Sequence, residues 1–255
     1  MLSSLKPKSE TFHMKATGLD EPVLVRRSPR ARRISLSVNE AKRGAVLTVP
    51  RHATLDEAGR FLAKHFEWLQ KRLAAIPAPV PFTDGVIVPL RGQDHVLRFL
   101  PEVKRRGAVW IEEGDVTEPF DLPNIHVSGA TEHAPRRLKD WLKREARADL
   151  STRCAEHSAA LRVRPKRITV RDQTSRWGSC SAGGVLSFSW RLILAPEDVL
   201  DYLAAHEVAH LREMNHSERF WAHVRDVCPH MDRAKSWLRK NGGQLHRYGA
   251  PTTTY

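Results

Sequence analysis

The sequence predicts an α+β protein, and three observations carry that reading. Short alternating or β-branched runs recur between residues 33 and 129, divided by Gly and Pro. Helical periodicity dominates from about residue 135 onward. One hairpin signal, centred on Gly183-Gly184, interrupts that helical half. With 41% hydrophobic and 28% charged residues the composition is that of an ordinary globular chain, which excludes disordered and fibrous classes. No apolar run approaches the ~20 residues of a membrane helix, so no membrane partner is expected.

Taken in order, residues 1–20 are polar and aperiodic, and are expected to form a flexible tail. Residues 21–130 read as a β-rich region with one helix, and residues 131–255 as a second domain. Ile34, Leu36 and Val38 alternate with polar residues, which predicts a half-buried strand. Asn39 to Gly44 reads as a turn and Ala45 to Pro50 as the returning strand. Thr54 can cap a helix from Leu55, with Ala58, Phe61, Leu62, Phe66, Leu69 and Leu73 at helical spacing. Pro77, Pro79 and Pro81 stop it. Strands are expected at residues 86–88, 95–100, 108–111 and 125–127, then a long helix from Pro135 to His157. Lys166 to Asp172 is another strand, and Ser175 to Trp190 the hairpin. Pro196-Glu197-Asp198 opens the next helix, where the dipole favours two acids.

That helix contains His206-Glu207-Val208-Ala209-His210. Two His at i and i+4 share one helical face, so both imidazoles can reach one ion. Glu207 is rotated about 100° from His206, beside that ion rather than on it. A catalytic Zn²⁺ takes three protein ligands and keeps one position open. The third ligand is expected to be His216, with five residues between it and His210, after a turn in which Asn215 and Ser217 can cap. A chance HExxH in a chain of this composition is expected only ~0.04 times, so the motif carries weight.

Two further features bear on partners. The formal net charge is +13, concentrated in residues 22–51 and 136–176, which suits an acidic partner such as nucleic acid. The alternative is a solvated basic surface. The three cysteines, Cys154, Cys180 and Cys228, are far apart without a CxxC pair. Together with an N-terminus lacking an apolar signal core, they lead us to expect a cytoplasmic protein without a disulfide framework.

The run Arg176 to Leu186 (RWGSCS followed by Gly and Leu), the Pro-initiated helix with HEVAHL, and NHSERFW at Asn215 to Trp221 resemble the YgjP-like metallopeptidases. These are zincins akin to the WLM and SprT-like families and to the minigluzincins. The segment SPRARRISLSV…VLTVP and the helix with Trp68 to Arg72 are similar to that family's N-terminal part. The likeness covers about residues 22–245. It implies a zincin-like catalytic domain over residues 131–255, a small sheet plus an active-site helix. His206, His210 and His216 would be ligands of Zn²⁺, and Glu207 the catalytic acid/base. Glu213 stands where the longer metzincin motif has Gly, so the WLM-type arrangement fits better.

The expected activity is a zinc-dependent hydrolase acting on peptide or protein. The first alternative is a metal-dependent nucleoside-triphosphate pyrophosphatase, and the second a nucleic-acid-associated protease or binding module. No P-loop is present. Arg176 and Trp177 are candidate substrate-binding residues, with packing as the competing role for each. Trp190 and Cys180 read as packed residues. His223, His246 and Tyr248 are weaker candidates for supporting or oxyanion-donating roles.

Overall fold

A computed structural model describes residues 10–19, 22–39, 43–103, 107–115 and 121–250. These fall into two units, Met1–Pro77 and Ala78–Tyr255. The α+β class expected from sequence is the class observed.

Alternation builds the first unit's sheet. Val23 and Val25 on β2 (Val23–Ser28), and Ala45, Leu47 and Val49 on β4 (Gly44–Pro50), face inward and are buried. With β1 (Thr11–Met14) and β3 (Ser35–Asn39) they form a four-stranded sheet in the order β1-β2-β4-β3. β2 and β4 run parallel, and β3 pairs antiparallel with β4 from Ser35↔Thr48 to Asn39↔Gly44. Residues 40–42 of the expected turn lie outside the described residues.

Two expectations for this unit need correction. Part of the stretch read as a flexible tail is strand β1, paired to β2 from Thr11↔Arg26 to Met14↔Val23. Phe12 and Met14 point to the core and anchor it. The remainder of that stretch, residues 1–9 and 20, lies outside the described residues. The single helix expected from Leu55 is two, α1 (Leu55–Lys64) and α2 (Phe66–Ala74). They divide at His65, whose φ of −106° and ψ of 14° leave the helical basin. Thr54 does cap α1: its hydroxyl accepts from the Glu57 amide at 3.2 Å, and Glu57 accepts from the Thr54 amide at 2.8 Å.

In the second unit β5 (Ile87–Leu90), β6 (Gln93–Leu100), β7 (Val109–Glu112) and β8 (Asn124–Ser128) form a sheet in the order β5-β6-β8-β7. The β5–β6 turn needs only Arg91 and Gly92, both at positive φ (52° and 81°), as a tight hairpin requires. The backbone there leaves Arg91 aimed at α3 (Ala134–Ala160), where its guanidinium donates to Asp149 at 2.8 and 3.0 Å and to Glu145 at 3.0 Å.

A boundary near residue 130 was expected, but the division falls after Pro77. The reason is that β5–β8 and α3 share one core. Val88, Leu97, Ile125 and Val127 lie in the same buried cluster as Ala134, Leu138 and Leu142. That cluster continues to a second, three-stranded sheet, β10-β11-β9, formed by β9 (Arg167–Arg171), β10 (Gly178–Cys180) and β11 (Val185–Ser189). β10 and β11 are the expected hairpin; β9 lies parallel to β11.

Against this small sheet runs α4 (Glu197–Ala209). Ten of its residues are buried, on every side of the helix, so it is a core helix rather than an amphipathic one. Two more helices follow, α5 (Glu218–Val227) and α6 (Met231–Leu245). No helix among the described residues is long and apolar enough to cross a membrane.

Candidate active site

An all-round buried helix makes any polar side chain on it expensive unless it has a partner or a task. α4 delivers His206, Glu207 and, at its C-terminal cap, His210. The chain then turns back through residues 211–216. The Asn215 carboxamide oxygen accepts from the Ser217 amide at 2.8 Å, and the Ser217 hydroxyl caps α5 by accepting from Phe220 at 3.4 Å. This doubly held turn sets His216 beside the α4 histidines. His206 Nε2 and His216 Nε2 are 3.2 Å apart, and one ring nitrogen from each of the three imidazoles lies within 4.8 Å of the others.

The donor set fits a zinc-like ion. Two nitrogens held at ~2.0–2.1 Å from one tetrahedral ion are roughly 3.3–3.4 Å apart, close to the separation seen. The protonation states agree. Burial first, then the neighbouring His210 and His216, push His206 down to about 3, so it is neutral at physiological pH. Burial also lowers His210. His210 Nδ1–H donates to the Glu213 carbonyl at 3.1 Å, which leaves Nε2 with a free lone pair facing the other two rings. His206 Nδ1 has no hydrogen-bond partner among the described residues. Rings hold that imidazole instead: Phe220 at 4.9 Å, Trp221 at 5.7 Å and Tyr202 at 5.8 Å between centroids.

Glu207 reaches toward β10. Its carboxylate lies against the backbone of Gly178, where a Cβ would come within 2.7 Å of Glu207 Cγ and 2.8 Å of Cδ. Only glycine leaves room there. Burial raises the Glu207 carboxyl to about 7, and Arg176 opposes that rise through its charge. A carboxyl poised near neutrality can take and return a proton.

The other sequence candidates divide. Arg176 is exposed and close enough to act on Glu207 electrostatically. Trp177 is a packing residue, stacked on His246 with centroids 4.9 Å apart and joined to the core. Trp190 is fully buried under the Arg191 guanidinium. Tyr248 is engaged through its carbonyl, which accepts from Arg191 at 2.7 Å. His223 stands outside the three-imidazole group. Burial, then Glu207, raises the Cys180 thiol, the reverse of what a nucleophile needs. Arg26, Arg30, Arg32 and Arg33 are exposed in the first unit.

Sequence reasoning missed Gly178 as the cradle of Glu207, although its signal lay in RWGSC. It also missed Phe220, whose fully buried ring sits 4.5–4.9 Å from all three imidazoles. The carbonyl of Glu213 could not be foreseen, since backbone groups carry no residue signature.

A solved structure, the metallopeptidase zymogen of Pyrococcus abyssi abylysin, is similar at 22% identity over 40% of this chain and 99% of that chain, with a TM-score of 0.34. No curated protein matches the chain. The YgjP-like metallopeptidase domain matches residues 32–241, which include the four residues His206, Glu207, His210 and His216 and both strands of the hairpin beside them. The chain therefore belongs to the YgjP-like family of metallopeptidases.

Proposed function

We propose that the chain is a zinc-dependent peptidase in which His206, His210 and His216 hold the ion and Glu207 is the catalytic acid/base. The observation that carries this reading is the convergence of three imidazole nitrogens next to a buried carboxyl on one core helix. When bound, Zn²⁺ supplies Lewis acidity and makes the attacking water more acidic. Glu207 accepts the proton from that water as it attacks the scissile carbonyl, and delivers it to the departing amine nitrogen. Gly178 keeps the carboxylate seated for both transfers. His210 is fixed in tautomer by the Glu213 carbonyl, and Phe220 keeps bulk water from the backs of the rings.

Substrate placement follows from the sheet. β10 is an edge strand of β10-β11-β9, and Gly178 on that strand lies against Glu207. An extended peptide pairing with β10 would pass its backbone beside the catalytic carboxyl. Arg176, exposed just before β10, would interact with the carbonyl oxygen as it gains charge.

The test is elemental analysis with a peptidase assay on one batch of protein. About one zinc per chain should be retained by this centre, and His210→Ala should lose it along with peptide hydrolysis. A His210→Ala protein with unchanged zinc and unchanged turnover would sink the assignment.

A further inference from the structure

A second group of donors lies on the same helix, outside the catalytic constellation. Asp201 is on α4, five residues before His206, about 140° around the helix and ~7.5 Å along it. Its carboxylate is buried. Oδ1 meets His157 Nε2 of α3 at 2.8 Å. Oδ2 meets His230 Nε2 at 3.1 Å, and that nitrogen is also 3.4 Å from the Cys228 sulfur. One imidazole nitrogen thus faces a carboxylate and a thiol together. The Cys228 thiol in turn hydrogen-bonds the Asp201 side chain, so carboxylate, thiol and imidazole meet at one point.

The chain builds this convergence locally. Cys228 closes α5 outside the helical basin, at φ −138° and ψ 80°, where the following Pro229 disfavours helical backbone. His230 then sits at the N-terminal cap of α6. The Cys-Pro-His turn therefore presents a sulfur and an imidazole nitrogen from two adjoining helix ends, and α4 supplies the carboxylate.

We propose that Asp201, Cys228 and His230 form a second metal site, selective for Zn²⁺ and distinct from the three-histidine centre. Four features fit. The donors are three chemically different ligands of a borderline-soft ion, with ligand atoms all within 4.8 Å of one another. Bonds of ~2.0–2.3 Å at tetrahedral angles put neighbouring donors roughly 3.3–3.6 Å apart, which small adjustments of 3.1 and 3.4 Å reach. The ligand carboxylate is oriented by a hydrogen bond from His157 on its other oxygen, with the Arg153 guanidinium 3.7 Å away. The His230 side chain is partly exposed, which opens an entry path, while Cys228 is fully buried. A solvent molecule completes four-coordination. On binding, the thiol proton of Cys228 leaves to solvent as the metal–sulfur bond forms. The ion ties the α5–α6 turn to the helix that carries the catalytic histidines, so its role is structural.

Sulfur separates the two sites experimentally, because the three-histidine centre has none. Apo-protein titrated with Co²⁺ should develop a sulfur-to-cobalt charge-transfer band in the near ultraviolet. Saturation should reach two ions per chain. The band should persist in His210→Ala and in Cys180→Ser, with the former binding one ion fewer. Cys228→Ser should abolish the band, and His230→Ala, at a partly exposed position, should weaken Co²⁺ binding at this site by at least tenfold. Zn²⁺ should displace Co²⁺ and bleach the band. Wild-type protein that saturates with Co²⁺ without the band overturns the proposal, and that measurement needs no variant to fold. A band that survives Cys228→Ser, or vanishes in Cys180→Ser, overturns it as well.

Discussion

Asp201 and Glu207 are two buried carboxylates six residues apart on one helix, and their surroundings drive them in opposite directions. Both are nearly inaccessible, at 8% and 4% exposure. Burial pushes both upward. For Glu207 only the exposed Arg176 opposes it, and the carboxyl rises to about 7. For Asp201 the His157 hydrogen bond, with His157, His230 and Arg153 around it, outweighs burial and holds the carboxyl below its usual range. Burial alone therefore does not set the role of an acid. Six residues of helix separate a group that can exchange a proton near neutrality from one that stays a fixed anion, which is how paired acids acquire different tasks.

The comparison breaks most sharply at turnover. Glu207→Gln keeps shape and removes the proton acceptor. We expect zinc at the three-histidine centre and the fold to be retained while turnover on a cleavable peptide falls at least ~10²-fold, the usual scale of general-base catalysis. Wild-type turnover would show that the raised carboxyl is not the base. Peptidase assays paired with elemental analysis decide it.

A smaller effect is expected at Gly178, the residue that makes the Glu207 seat possible. Gly178→Ala places a methyl within 2.8 Å of Cγ and Cδ of the Glu207 side chain. Overpacking of this kind costs about 1–3 kcal/mol. Chemical denaturation should show that loss, and turnover should fall because the carboxylate is displaced. Adding Glu207→Ala should restore most of the stability, since the clash is between these two side chains. Strictly additive losses in the double variant would mean that the strain lies elsewhere.

The same helix shows how far sequence could reach. The HExxH spacing, the capped turn and the third histidine were all legible, because periodicity and cap chemistry are local. The three imidazoles do converge. The Asp201 group was not legible. Its members, His157, Asp201 and the Cys228–His230 pair, come from three places far apart in the chain, and only the last two are close in sequence. Only the packing of α3, α4 and the α5–α6 turn unites them. Strand β1 was lost for a different reason: Phe12 and Met14 alternate over only four residues, too short a signal beside polar neighbours. The boundary near residue 130 was misplaced because alternating strands say that a sheet exists, not which helix covers it. Here α3 covers it and joins both sheets in one core.

The last prediction uses pH to set the two acids against each other, in protein stripped of metal so that only the side chains titrate. Asp201 has its folded pKa depressed below the ordinary 3.8. Its contribution to stability is present above that value and is lost as pH falls through the folded pKa. Glu207 is raised from 4.5 to about 7, so the sign reverses. Its protonated form is favoured in the folded chain, and stability is fully present below 4.5 and declines as pH rises toward and through about 7. Each group contributes a slope of at most about 1.4 kcal/mol per pH unit, the value of one proton. Denaturation midpoints measured from acid to neutral pH should therefore separate the variants by limb. Asp201→Asn should flatten the acid limb and leave the decline owed to Glu207 in place. Glu207→Gln should flatten the decline between 4.5 and about 7 and leave the acid limb alone. If both variants change the same limb, or neither departs from the wild-type curve, the helix does not hold its two acids in opposite states, and the division of tasks between them fails with it.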